Sequence, residues 1–286
     1  MTTKYLAARN LAEALAGLDE GAKVLAGGTD LMVHVRRLRL CGAGMPEYLV
    51  DVTGVPELNR LDMDAHRPFL GAAVTFRGLE TDETVAKRYP LLAQAAASVG
   101  SLQIRNLATI GGNAANASPA ADGLTALAAL GARAEIASSD GVRHIPLEQL
   151  IIGPNTTCLR PGDLIVGFEL DRLPEGSAQR FCKVGRRRAV VIARMNLAVS
   201  IDGDMADPRL VLGSCFPSPR RLTEVERLLA SGTPGPELWR EAGKMAAGQF
   251  VEVCGRRESA SYKVPAVAHL VSRTLESTWD ELGVAR

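Results

Sequence analysis

The stretch Ala108 to Asp122, "ATIGGNAANASPAAD", decides how the rest of the chain is read. It holds two adjacent glycines, two asparagines, a Ser-Pro and one acid, and few residues able to build a core. The helical-looking "GLTALAALGA" follows at once. Glycine pairs let backbone amides approach a ligand with no Cβ in the way. Consecutive turn amides form a concave anion nest, and a following helix adds its partial positive charge.

A second stretch of this kind lies upstream. In "LAGGTDL", Leu25 to Leu31, a glycine turn follows the strand-like "AKVLAGG" and precedes "TDLMVHVRRLRL", a helix with Thr29 or Asp30 near its cap. With the strand-like "EYLVDV" this makes a small α/β unit, preceded by a short strand and a helix that Asn10 and Glu13 start as a capping box. Two glycine turns in separate blocks suit the two phosphates of a dinucleotide, with the Thr29, Thr109 and Ser118 hydroxyls completing the shell. Neither turn matches G-x-x-x-x-G-K-[ST] or G-x-G-x-x-G, which excludes a P-loop and the standard Rossmann fingerprint. Gly-Gly turns between strand and helix are common and most bind nothing, so the residues alone leave two readings: ordinary connections, or a phosphate-bearing ligand held across two subdomains.

Working outward, a second block begins near Val55. "FLGAAVTF" reads as a strand, "TFRGLETDETVAKRY" and "PLLAQAAASVG" as helices broken at Pro90, and Ala121 to Leu130 as a helix. "RAEIAS", "VRHIPL" and "LIVGFEL" read as strands of a mixed sheet. The turn-rich "DRLPEGSAQ" reads as a linker. Beyond it, strands in "RFCKVGRRRAVVIARMNLAVSI" and "PRLVLGSC" precede three helical stretches, the pattern of an α+β domain.

The chain has 286 residues, 47% hydrophobic and 23% charged, enough for a sizeable core and far from a disordered composition. A net charge of +1 without long basic blocks does not favour nucleic acid. No apolar run predicts a membrane span, and the N-terminus lacks a signal-peptide layout. Five scattered cysteines, with no CxxC, predict neither zinc nor an iron–sulfur site and suit a reducing cytoplasm. His34, His66, His144 and His269 stand alone and read as structural or solvent-facing. Trp239 and Trp279 read as packing residues, Cys182 as a small buried one, and Arg186 to Arg188 as a solvated turn that could face cofactor or partner. Arg105 and Asn106 shape the second turn or, for Arg105, meet a partner.

Taken in order, "AGGTDL", "IRNLATIGGNAANASPAAD", "GPNTTCLRPGDLI", "FCKVGRRRAVVIARMNLAV" and the closing "SASYKVPAVAHLVSRTL" resemble the FAD-binding medium subunit of the molybdenum hydroxylases, the xanthine dehydrogenase and carbon monoxide dehydrogenase type. The resemblance covers nearly the whole chain. It implies an α+β fold of the vanillyl-alcohol-oxidase type, with FAD-binding subdomains at 1–54 and 55–173 and a C-terminal domain at 177–286. It implies that Leu25, Ala26, Gly27, Gly28, Thr29, Asp30 and Leu31 wrap the pyrophosphate of FAD, and that Ala108, Thr109, Gly111 and Gly112 approach it from the other side. Asn116 and Asp122 would make polar contacts to the cofactor, Ile165 would lie beside the flavin and Lys183 near its ring. The opening stretch would then be a binding loop, with ligand in place of core.

No catalytic triad and no metal ligand are expected here. The implied partners are a molybdopterin-binding large subunit and a [2Fe–2S] small subunit in a dimer of heterotrimers, with electrons passing through FAD to an external acceptor. No cysteine lies between Cys41 and Cys158, so the extra [4Fe–4S] cluster of some relatives is not expected. Cys182 stands before Lys183 where the family often has an aromatic residue. Two rival readings stay open at this point: a free-standing flavin oxidoreductase and a non-catalytic nucleotide-binding module.

Overall fold

The computed structural model describes residues 3–18, 21–187, 190–255 and 260–283. The first unit runs β1 (Lys4–Ala7), α1 (Leu11–Ala16), β2 (Ala22–Leu25), α2 (Leu31–Leu40) and β3 (Tyr48–Asp51). Its sheet has the order β1-β3-β2 and is wholly parallel, each crossover carrying a helix. Asn10 caps α1 by accepting from the Glu13 amide at 2.8 Å. In return the Glu13 carboxylate accepts from the amide of Arg9 at 3.0 Å, so the capping box closes one residue early.

The second unit contains β4 (Leu61–Asp62), β5 (Phe69–Gly71), α3 (Phe76–Thr81), α4 (Glu83–Arg88), α5 (Pro90–Ser98), α6 (Leu102–Arg105), α7 (Ile110–Asn116), α8 (Asp122–Ala129), β6 (Arg133–Ser138), β7 (Gly141–Pro146), α9 (Leu147–Leu150), β8 (Ile151–Gly153), β9 (Thr156–Thr157) and β10 (Leu164–Glu169). Its main sheet, β4-β5-β10-β6-β7, is antiparallel throughout, which corrects the expected mixed sheet. For the β6–β7 pair the reason is connection length: a two-residue turn joins them, and so short a link permits only antiparallel pairing. Pro90 opens α5 as expected. The helical stretch before it is two helices, because the Asp82 side chain accepts from the Val85 amide at 2.8 Å and starts α4 afresh. The expected bare loop at Ala108–Asp122 is also corrected. Seven of its residues form α7, capped by Thr109, whose hydroxyl accepts from the Gly112 amide at 3.0 Å.

The third unit carries β11 (Ala178–Val184), β12 (Met195–Ile201), β13 (Arg209–Gly213), β14 (Arg220–Arg221), α10 (Thr223–Ser231), α11 (Pro236–Cys254) and α12 (Ala260–Glu281). Its antiparallel sheet follows chain order. Every residue of β12 is buried, and the side-chain period of two divides them. Met195, Leu197, Val199 and Ile201 enter a core shared with α11 and α12, where the Trp239 and Trp279 rings lie tilted at 50° with centroids 5.9 Å apart. Ala198 joins the larger core of the first two units. The sheet is therefore sandwiched, and its second face docks the C-terminal unit onto the rest.

Candidate functional site

Between the first two units lies a cleft of about 860 Å³, within the range of small-molecule and cofactor sites. Four backbone features build it. The turn after β2 brings Ala26 to Leu31 to one wall. Ala108 to Gly112 and the first turns of α7 form the facing wall. The exit of β5, Ala72 and Ala73, lies behind α7, and the loop running into β10 from Leu159 to Ile165 closes the far side.

The glycines do two different jobs. A Cβ built on Gly27 would fall 1.9 Å from the Leu107 carbonyl oxygen, and one on Gly111 would fall 2.4 Å from the Ala72 Cβ. These two are glycine because another segment of the protein occupies the space, and through Gly27 the two turns lock backbone to backbone. Gly28 and Gly112 differ. Gly28 sits at φ +68°, where glycine is favoured. A Cβ on Gly112 would meet only the Thr109 Oγ1 at 3.0 Å and the Ala26 Cβ at 4.0 Å, and otherwise point into space beside the cleft.

The second wall is stapled in place by the backbone. The amides of Ile110 and Gly111 donate to the carbonyls of Val74 (3.1 Å) and Ala72 (2.9 Å), and the Phe76 amide donates to the Ala108 carbonyl at 2.9 Å. The far wall is held by Asp163, whose carboxylate accepts from both Arg143 guanidinium nitrogens at 2.8 and 2.5 Å and from the Arg160 amide at 2.6 Å. Burial pushes the Asp163 carboxyl up, but these hydrogen bonds and the Arg143 charge outweigh it and hold the group below the ordinary carboxylate range.

Of the residues expected at the site, Ala26 to Leu31, Ala108, Thr109, Gly111, Gly112, Asn116 and Ile165 line this one cleft. Leu25 stays behind the turn, its side chain against the position a Gly28 Cβ would take. Asp122 and Lys183 line no part of the cleft. Their side chains pair with each other at 2.5 Å behind it, between the second unit and the C-terminal unit. Asp122 is 5% exposed, and its other oxygen accepts from the Asn196 amide nitrogen at 2.8 Å. Burial pushes its carboxyl up, opposed by the Lys183 charge and by hydrogen bonds from Lys183, Asn196 and Ser98. Ser118 caps its own turn, accepting from the Ala120 amide.

The residue reading missed several wall positions. Asn113 lines the cleft, and its buried carboxamide oxygen has no hydrogen-bond partner. Asn155, Arg160 and Asp163 also line it, and all lie inside stretches quoted for the resemblance. His34, read as structural or solvent-facing, is exposed on α2 and borders the cleft. A second cavity of about 830 Å³ lies on the other side of the segment Ser98–Arg105, lined by Lys183, Arg186 and Arg187. Arg188 falls outside the described residues.

The arrangement can hold an elongated ligand with a diphosphate between the two turns and an apolar wall of Phe76 and Ile165. FAD meets these requirements: a Cβ at Gly112 would meet only the Thr109 Oγ1 and the Ala26 Cβ, which leaves room for its pyrophosphate beside the turn Ala26 to Leu31. Among the described residues no group of His, Cys, Asp or Glu is arranged to hold a metal, and no helix is long and apolar enough to cross a membrane.

Comparison with known proteins agrees with this geometry. Residues 1–172 match the family described as the FAD binding domain in molybdopterin dehydrogenase, and residues 180–278 match the CO dehydrogenase flavoprotein C-terminal domain. The chain is 31% identical to the 6-hydroxypseudooxynicotine dehydrogenase complex subunit alpha of Paenarthrobacter nicotinovorans, over 95% of this chain and 92% of that one. It is 31% identical to a putative xanthine dehydrogenase FAD-binding subunit of Escherichia coli K12, over 78% and 77%. A chain of carbon monoxide dehydrogenase from Hydrogenophaga pseudoflava superposes with a TM-score of 0.87 at 26% identity, covering 98% of each.

Proposed function

The chain belongs to the FAD-binding subunit family of the molybdopterin dehydrogenases, and on that premise we propose that it takes electrons from [2Fe–2S] clusters on a small partner subunit and passes them to an external acceptor. That it is an FAD-binding oxidoreductase subunit of a molybdenum hydroxylase complex follows from the family itself. The observation that supports FAD binding is the pair of glycine turns, locked together at Gly27 and Leu107, facing one cleft from two units; the electron route rests on the family.

In this reading the turn Ala26 to Leu31 holds the pyrophosphate of FAD through backbone amides, and the start of α7, whose own amides bond to Val74, Ala72 and Thr109, packs against it from the facing wall. Thr29 and Asn116 add polar contacts. The Thr109 hydroxyl caps α7 by accepting from the Gly112 amide, and its own O–H stays available to donate. Ile165 and Phe76 supply an apolar wall that keeps water from the ring. Bound FAD supplies the chemistry: it accepts and releases electrons singly or in pairs. The chain's own work is to bind, orient and shield. We assign the FAD-binding subdomains to 1–54 and 55–173 and the C-terminal domain to 177–286.

The proposed assembly is a dimer of heterotrimers with a molybdopterin-binding large subunit and the [2Fe–2S] small subunit, working in the cytoplasm. Support comes from relatives named as subunits or medium chains of such complexes. The test is a visible absorption spectrum of the purified chain, acid release of the chromophore with mass spectrometry, and a pull-down from the native host. FAD released in stoichiometric amount, with iron- and molybdenum-containing partners captured, supports the proposal. A folded chain that stays colourless after incubation with FAD refutes it.

A further inference from the structure

Helix α2 has two contrasting faces. Its residue spacing puts Leu31, Val35 and Leu38 on one side and Val33, Arg36, Arg37 and Leu40 on the other. The first side meets the protein: Val35 is buried, and Leu31 and Leu38 are half-buried. The second side faces outward. Leu40 and Val33 are 77% and 68% exposed, among the most exposed large apolar side chains described. Arg36 and Arg37 are exposed between them in sequence.

The charge on this helix has one sign. It carries Arg36, Arg37 and Arg39 and no acid. Among the described residues none of the three has an ion-pair partner. Elsewhere Arg105 is held by Glu80, Arg143 by Asp163 and Arg209 by Asp171. Attraction to the C-terminal end of the helix accounts for Arg37 and Arg39 in the last turn. It gives no reason for Arg36, nor for Val33 and Leu40 on the same face. Single exposed apolar side chains are ordinary. Two on one face, with guanidinium groups that nothing in the chain neutralises, match the composition of a protein interface.

The place of the face matters as much as its chemistry. Leu31 and His34 of α2 line the cofactor cleft, and Val33 lies about 3 Å beyond Leu31 along the helix axis. A body seated on the outer face therefore stands beside the cofactor. An electron donor has to stand there, because electron transfer weakens steeply with distance. The molybdopterin-binding subunit does not, since its electrons arrive through the clusters.

We propose that the outer face of α2 docks the [2Fe–2S] subunit, and that this subunit presents carboxylates around an apolar patch to it. The proposal rests on the reading that FAD in the cleft takes electrons from that subunit. Carboxylates opposite Arg36 and Arg37 steer the encounter and fix its orientation. Val33 and Leu40 supply the apolar contact that excludes water.

The test uses the whole complex, purified through a tag on this chain from a host that makes every subunit. Val33→benzoylphenylalanine puts a photoreactive group on the face. Irradiation should join it to the [2Fe–2S] subunit, read by mass spectrometry of the crosslinked peptides. Arg36→Glu combined with Arg37→Glu should raise the Kd of this chain for the rest of the complex about tenfold or more, and flatten its dependence on salt. Mass photometry over a dilution series reads both.

Crosslinks to the large subunit alone, to a second copy of this chain, or to nothing within an intact complex overturn the proposal. So does a charge-reversed variant that assembles with unchanged Kd and salt dependence. All three substituted residues are exposed, so each variant should keep the wild-type unfolding midpoint. If the charge-reversed variant does not fold, the crosslink decides alone. A wild-type chain that captures no iron- or molybdenum-containing partner overturns the functional reading, and this proposal with it. A complex that assembles but crosslinks elsewhere overturns this proposal only.

Discussion

At Gly112 the space beyond the backbone belongs to the cleft, and at Gly27 it belongs to Leu107. Substitutions there should separate binding from folding. Gly112→Val should leave a folded chain that loses FAD, read by the ratio of flavin to protein absorbance. Gly27→Ala should instead destabilise the chain, by the 1–3 kcal/mol or so typical of overpacking, read by urea unfolding. Gly112→Val with full FAD content would remove the second turn from the site. Asp163 offers a pH test. Its folded pKa lies below its unfolded one, so its pair with Arg143 adds stability above the ordinary carboxyl pKa of about 3.9. That stability is lost as pH falls through the lowered value. Asp163→Asn should lower stability at neutral pH and flatten the acid limb of a stability–pH profile. An acid limb identical to wild type would show that the pair contributes nothing there. Gly28 and Gly112 were legible as residues with a backbone task. That Gly27 and Gly111 serve the fold was not, because the atoms they avoid, at Leu107 and Ala72, lie far along the chain or in another strand exit.

Helix α7 shows the same limit one level up. It has seven residues, two of them glycine, and no stripe of large apolar side chains. Helices this short are marginal on their own, so no local signal separates α7 from a loop. It stands because Ile110, Gly111 and Ala114 are buried and because its first amides bond to Val74 and Ala72. Thr109 then makes the entry favourable by capping. Thr109→Ala should cost about 0.5–2 kcal/mol of stability and weaken FAD binding, both measured on one preparation by chemical unfolding and flavin titration. Unchanged stability would mean that backbone staples alone hold α7. Longer elements were easier to read. The alternation in Met195–Ile201 marks a strand with two distinct faces, and Pro90 and Pro236 mark helix starts. Which face met which core was not legible, since both faces of β12 are buried.

Across the whole molecule, FAD bound between two units stabilises both, because only the folded chain assembles both walls. At FAD concentrations 100-fold above Kd the folded state should gain about 2.7 kcal/mol, seen as a higher unfolding midpoint for the loaded chain than for the stripped one. An equal midpoint would mean that the folded chain does not bind FAD in preference to the unfolded one. The sequence by itself determined the class of fold, the two glycine turns, their order along the chain and the ligand class they suit, because backbone freedom, capping and apolar alternation are local properties. Resemblance across ordered stretches carried this to FAD. Only the tertiary structure decided that the second sheet is antiparallel, that seven residues of the opening stretch form a helix, and that Asn113, Arg160 and Asp163 join the wall. It alone showed Asp122 and Lys183 paired with each other across a domain boundary. The physical reason is the same in each case: a buried charge or a Cβ-free surface is defined by the group opposite it, and that group comes from 61 or more residues away for Asp122 and 80 for Gly27.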